Sequence, residues 1–309
     1  MVAVALTACS GSSSPGRYES VGAGEPAPST AQDEATDDGS VCTGPVANID
    51  TFSYRSIDDV DPDLLALDVY RTAAAASCPV VVYVHGGSWQ AGDKRTRATE
   101  VKAEHLVGEG FVFISANYRL VAADNDVRWP DFGDDVAVAV AWVIENAASI
   151  GADPDRVSIV GHSAGAHLVS IIGTNPDLLG VVGLERDAVQ CVVSLDAVDH
   201  RLADAPSYER DIVGLAFGRE PSTLDDGSPT VQAIEHAADG PMPEFLIVTR
   251  GRTNRLESSE QFRAAIANAG GSATVLDVSP YDHRDANVRF GEPGETLLTA
   301  PVTQFVLEC

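Results

Sequence analysis

Positive charge is scarce in this 309-residue chain, where 20 basic residues stand against 46 acidic ones and leave a formal net charge of −26 with histidines neutral. Lys94 and Lys102 are its only lysines. A field of that sign repels phosphate backbones and anionic lipid, which argues against nucleic-acid binding and against electrostatic attachment to a membrane surface. The balance fits an acidic solvated surface in an arginine-rich proteome, or adaptation to high salt. Metal-binding spacing is also missing, since the five cysteines match no zinc pattern. What remains is ordinary globular composition, 44% hydrophobic and 21% charged, in a length that suits one large α/β domain.

The start of the chain, Met1-Val-Ala-Val-Ala-Leu-Thr-Ala-Cys9, is apolar but too short to span a bilayer. It resembles the tail of a bacterial lipoprotein signal peptide, with Leu6-Thr7-Ala8 preceding a lipidated Cys9. Residues 10–40, rich in Ser, Gly, Pro, Ala and Asp, read as a flexible tether. The expected organisation is therefore a signal remnant and linker over 1–40 and a folded domain over 41–309, exported and touching a membrane only through a lipid anchor at Cys9. In an oxidising compartment the remaining Cys42, Cys78, Cys191 and Cys309 form an even set with three possible pairings. Cys78 and Cys191 each precede a parallel-strand pattern at one edge of a sheet, and the last helical pattern runs back to that edge. This favours Cys42 with Cys78 and Cys191 with Cys309.

From residue 41 onward, short β-branched runs alternate with longer helical patterns, the signature of a mostly parallel sheet with helices on both faces. Strands are expected at 51–55, 65–70, 80–84, 112–116, 157–160, 191–195, 245–249 and 273–278. Helices are expected at about 96–108, 131–148, 164–173, 257–269 and 297–307. Segment 197–243 carries scattered Pro, Gly and Asp and reads as pocket wall or lid, without a long apolar lid helix.

Within this pattern, Val157-Ser-Ile-Val-Gly-His-Ser-Ala-Gly-Ala-His-Leu-Val-Ser170 sets Ser163 between two glycines, directly after a strand and directly before a helix. That is the context in which Gly-x-Ser-x-Gly holds a serine on a sharp, strained turn. The glycines have a steric reason, because Cβ atoms two residues either side of the corner would clash. A serine hydroxyl needs a base within hydrogen-bond reach and an acid to orient that base. Of seven histidines, His162 and His167 flank the corner, His105 lies in a helical pattern, and His200 and His236 lie in the irregular segment. His283, in Ser279-Pro-Tyr-Asp-His-Arg-Asp285, follows the last strand and so belongs at the same carboxyl edge of the sheet as Ser163. The strand ending in His85-Gly86-Gly87 supplies a loop whose backbone N–H groups can face an oxyanion, so that Gly86 or Gly87 together with Ala164 are the expected donors. Trp89, Tyr118 and Trp129 belong either to the core or to a substrate pocket.

His85-Gly-Gly-Ser-Trp-Gln-Ala-Gly-Asp-Lys94, Asn117-Tyr-Arg119, Gly151-Ala-Asp-Pro-Asp-Arg156, Gly161-His-Ser-Ala-Gly165 and the Asp282–His283 pair together resemble the α/β-hydrolase family, specifically carboxylesterases of the acetyl- and feruloyl-esterase kind and kynurenine-formamidase-like enzymes. The likeness spans nearly all of 50–309. It implies an α/β-hydrolase fold with about eight strands and a serine hydrolase that cleaves short-acyl carboxylic esters of small molecules through an acyl-enzyme, with no metal or organic cofactor. In many such enzymes an Asp follows the seventh strand, but here Asn254 stands at the matching place, and an amide cannot stabilise an imidazolium by charge. Asp196, ending the sixth strand beside the strand that delivers Ser163, is the favoured acid, and Glu257 is the alternative. Asp199, or no acid at all, is left open; Asp282, next to His283 on an extended loop, points away from it. The same machinery also suits an arylformamidase or amidase, and Asn254 leaves room for a non-catalytic binding protein that keeps the fold.

Overall fold

The computed structural model describes residues 41–197, 199–202, 210–218, 233, 241–251 and 253–309. Cys9, the 10–40 tether and His236 lie outside the described residues, as does most of segment 197–243.

Among the described residues eight strands form one sheet, β1 (Asn48–Ser53), β2 (Ala66–Arg71), β3 (Cys78–Val84), β4 (Val112–Ala116), β5 (Ala152–His162), β6 (Cys191–Leu195), β7 (Glu244–Thr249) and β8 (Ala273–Asp277), in the order β1-β2-β4-β3-β5-β6-β7-β8. β1 pairs antiparallel with β2, and β2 antiparallel with β4, while every later pairing is parallel. Burial explains the sequence patterns. The central β4 and β6 are buried at every position, so they read as continuous apolar runs, whereas edge strand β1 alternates exposed and half-buried residues. This is the α/β-hydrolase fold.

Helices α1 (Arg97–Gly108), α2 (Asp131–Ile150), α3 (Ala164–Thr174), α4 (Pro176–Gly180), α5 (Arg210–Phe217), α6 (Thr253–Asn268), α7 (Asp285–Val288) and α8 (Thr299–Glu308) cover both faces. Residues of α2, α3 and α6 pack on one face with Val80, Val82 and Val84, while residues of α1 and α8 pack on the other with Val81, Tyr83 and Val160. α2 begins with Asp131 and Asp134, which complement the helix dipole, and stops at left-handed Gly151.

The boundaries differ from the sequence reading at two informative places. α6 starts at Thr253 rather than near 257, which leaves only a short turn after β7. α5 lies inside the irregular segment; it is eight residues long and buries Val213, Ala216 and Phe217. Phe217 sits edge-on to Trp89 at 5.1 Å and tilted against Trp129 at 5.8 Å. Trp89 and Tyr118 are thus core residues, both essentially unexposed.

Two disulfides join Cys42 to Cys78 and Cys191 to Cys309, the favoured pairing, with Cα–Cα distances of 5.6 and 6.2 Å. Both lie at the amino edge of the sheet, and such bonds persist in oxidising, extracytoplasmic compartments. Among the described residues no helix is long and apolar enough to cross a membrane.

Candidate active site

The site lies at the carboxyl edge, where β5 and β6 end side by side. Their register pairs His162 with Leu195, so the next residue of each strand, Ser163 and Asp196, emerges at neighbouring corners. The Ser163 amide donates to Leu195 O (3.0 Å) and the Asp196 amide to Val248 O (2.9 Å), fixing both turns to the adjacent strand. Both residues have positive φ, 57° and 47°, a conformation that costs a non-glycine residue about 1–3 kcal/mol. At the serine corner the backbone turns so tightly that a Cβ on Gly161 would come within 2.3 Å of Gly165 O.

His283 arrives from the loop after β8 and joins the two corners. Its Nε2 lies 2.9 Å from Ser163 Oγ and its Nδ1 2.5 Å from Asp196 Oδ2. A carboxylate only accepts, so the proton sits on Nδ1, leaving the Nε2 lone pair to accept from the serine hydroxyl. Asp196 is almost fully buried. Burial by itself would raise its pKa, but the hydrogen bond from His283 and the nearby charges of Arg255, His283 and Arg250 outweigh that and hold the carboxyl below the usual aspartate range. Arg250 Nε lies 3.3 Å from Asp196 Oδ2, while Arg255 lies 4.0 Å from Oδ1 and also donates to Ala197 O.

The alternative acids lie elsewhere. Glu257 and Asn254 are exposed on α6. Asp199 accepts from Ser258 Oγ at 2.5 Å and from the Arg201 amide at 3.1 Å. Asp282 Oδ1 accepts from the Asp285 amide at 2.7 Å, so it is turned toward its own loop.

The other histidines have separate partners. His162 Nε2 donates to the backbone oxygen of His283 at 3.0 Å; burial, reinforced by the charge of His283, brings its pKa down to about 3, so it stays a neutral donor. His105 meets Thr303 Oγ1 at 2.8 Å, joining α1 to α8, and buried His200 meets Ser194 Oγ at 3.2 Å. His167 is buried in α3 beside the Trp89 ring.

Gly86 packs directly against the nucleophile corner, since a Cβ there would lie 2.9 Å from Ser163 Cβ. Ala164 is the first residue of α3, where a backbone N–H has no partner within the helix. The loop from His85 to Lys94 is latched from below by residues whose geometric role the sequence does not reveal. Tyr118 Oη donates to His85 O (3.0 Å) and Asn117 Oδ1 accepts from the Lys94 amide (2.6 Å), while Arg119 Nε donates to buried Asp135 (2.7 Å) and so ties the segment that carries Asn117 and Tyr118 to α2. Arg250 and Arg255 were also not singled out by sequence. Only their place just after β7, where an acid was expected, draws attention to them.

A cavity of about 730 Å³ opens above Ser163 and His283. Polar side chains line it, among them Ser88, Asp93, Thr96, Thr99, Arg250 and Asn287, together with three glycines and Tyr83. Among the described residues no group of three or more His, Cys, Asp or Glu side chains is arranged to hold a metal ion.

Residues 67–194 match the BD-FAE family profile. Carboxylesterase NlhH of Mycobacterium tuberculosis (strain CDC 1551 / Oshkosh) is 34% identical over 240 residues, covering 74% of this chain and 72% of that protein. The probable carboxylic ester hydrolase LipM of Mycobacterium tuberculosis (strain ATCC 25618 / H37Rv) is 32% identical over 214 residues, 65% of this chain, which thus spans only 47% of LipM. A truncated carbohydrate esterase from gut microbiota superposes with a TM-score of 0.69 at 22% identity, covering 85% of this chain and 96% of that one.

Proposed function

Because the chain belongs to the carboxylesterase family of α/β-hydrolases, we propose that it hydrolyses short-acyl carboxylic esters with Ser163 as nucleophile, His283 as general base and Asp196 as the acid. The observation that carries this reading is the hydrogen-bonded line from Asp196 through His283 to Ser163. His283 Nε2 takes the serine proton as Oγ attacks the ester carbonyl, and the ionised Asp196 stabilises the imidazolium that forms. The amides of Gly86 or Gly87 and of Ala164 receive the oxyanion, each such donor contributing about 3 kcal/mol in the transition state. The intermediate collapses as His283 protonates the departing alcohol, and water repeats the sequence on the acyl-enzyme.

Short acyl groups suit the cavity because, among the described residues, no Leu, Ile, Val, Met, Phe or Trp side chain lines it to take up a long alkyl chain. Such a chain would also desolvate the hydroxyls and carboxylates that are there without replacing their hydrogen bonds, and the large rings of Trp89 and Phe217 are packed against each other rather than lining the cavity. The protein acts outside the cytoplasm, held to the membrane by lipid on Cys9 with residues 10–40 as a tether. Its two disulfides support the compartment.

Fluorophosphonate labelling tests the nucleophile. Purified protein should label at one site and Ser163→Ala should not; an unlabelled wild type would sink the catalytic reading. A panel of p-nitrophenyl esters from acetate to palmitate, run beside an arylformamide, should give the highest kcat/KM at the short end. A preference for the formamide would move the assignment to the amidase side.

A further inference from the structure

Lys102, on α1, is completely buried among the described residues and has no carboxylate bonded to it. Its Nζ donates to Asn287 O at 2.6 Å, Asn287 Oδ1 at 2.9 Å and Ala98 O at 3.2 Å, and it lies over the rings of Tyr83 at 5.1 Å and Phe290 at 5.9 Å. Tyr83 Oη donates to the same Asn287 Oδ1 at 3.0 Å. An amine in such a place is costly for folding. Burial pulls its pKa down to about 7, and a methionine of similar length would fill the space without desolvating a charge. In a chain with only one other lysine, the cost calls for a use.

The use lies in what Asn287 belongs to. Residues 282–288 form one hydrogen-bonded block: the Asp282 and Asp285 side chains each accept the other's amide at 2.7 and 3.2 Å, the Ala286 amide donates to Asp282 O at 3.1 Å, and the Asn287 amide donates to Arg284 O at 3.0 Å. His283 is part of that block. The block is held near its amino end by His162 on the His283 carbonyl and near its carboxyl end by Lys102 on Asn287. Tyr83 and Asn287 also form the wall of the catalytic cavity next to His283.

We infer that Lys102 is a positioning residue for the catalytic base: through Asn287 it fixes the short helix after His283 and so sets the imidazole within reach of both Ser163 and Asp196. This rests on the reading of His283 as the base. A solvent-facing loop with one anchor would let the ring wander, and misplacement by about 1 Å can cost on the order of a hundredfold in rate.

Lys102→Met keeps the volume and removes the donor. Turnover of p-nitrophenyl acetate is measured per serine titrated by fluorophosphonate, so that a loss of folded protein does not count. We expect kcat per titrated serine to fall about tenfold or more with KM within about twofold, the signature of an interaction that matters only for the reacting geometry. Tyr83→Phe, which removes the second donor to Asn287 Oδ1 while leaving Lys102 in place, should lower kcat in the same sense by a smaller factor. Wild-type kcat per titrated serine in folded Lys102→Met overturns the inference, and if that variant fails to fold, wild-type kcat per titrated serine in Lys102→Ala, which removes the same donor and leaves room for water, overturns it. An inert wild type that does not label would instead defeat the esterase reading. The two failures are therefore distinct.

Discussion

Ser163 and Asp196 occupy equivalent corners: each follows the last residue of a buried parallel strand, each has positive φ, and each is anchored by its amide to the neighbouring strand. Yet one corner is announced in the sequence and the other is not. At Ser163 the chain reverses directly into α3, which packs back on its own strand, and only glycine fits at 161 and 165. Ala197 and residues 199–201, the described residues next after Asp196, are not helical, so no helix doubles straight back on β6 to demand small residues at a fixed spacing. A motif records steric necessity. It does not record catalytic importance, and two residues proposed for the same proton relay can differ completely in how visible they are.

The acid corner is where this comparison can be broken. Asp196→Asn should preserve the turn and reduce kcat on the order of ten-thousand-fold, because the amide favours the wrong imidazole tautomer and offers no charge; near-wild-type turnover of a short p-nitrophenyl ester would remove Asp196 from the relay. A subtler effect concerns pH. The Asp196 carboxyl is held below its usual range in the folded state, so its contribution to stability is present above the ordinary aspartate pKa and is lost as pH falls through the depressed value. Arg255→Met removes a charge that helps to hold it there. The acid-side loss of Tm in a series of melts should then be smaller and complete at a higher pH than in wild type, its onset at the ordinary aspartate pKa being unchanged, and an acid-side loss of wild-type size and range would deny Arg255 that role. The smallest effect belongs to Glu257→Gln, which should leave kcat unchanged because Glu257 is exposed on α6; a large loss would restore it as the acid.

Much of the fold was legible because buried parallel strands and amphipathic helices carry distinct periodicities. All eight strands fall where β-branched runs stand, and the disulfide pairing follows from which ends of strands and helices share an edge. Less legible was the region after β7. There the helix begins at Thr253, earlier than its apolar pattern suggested, because polar Thr-Asn-Arg carries no periodic signal while still being acceptable in a first turn. That shift shortens the expected acid loop and carries Asn254 and Glu257 onto the exposed side of α6. The aromatic residues were ambiguous for a related reason. Trp89, after a strand at the active edge, was equally suited to core or pocket until α5 placed Phe217 against it.

The amino-acid order alone determined the strand–helix alternation, the strained serine corner and the placement of His283 beyond the last strand, since each follows from backbone sterics and burial over a few neighbouring residues. Only the tertiary structure decided which carboxylate faces the imidazole, which arginines face that carboxylate, and that a buried lysine meets Asn287 from 185 positions away. Those contacts depend on strand register and helix start points, where a shift of one residue turns a side chain to the opposite face of the sheet.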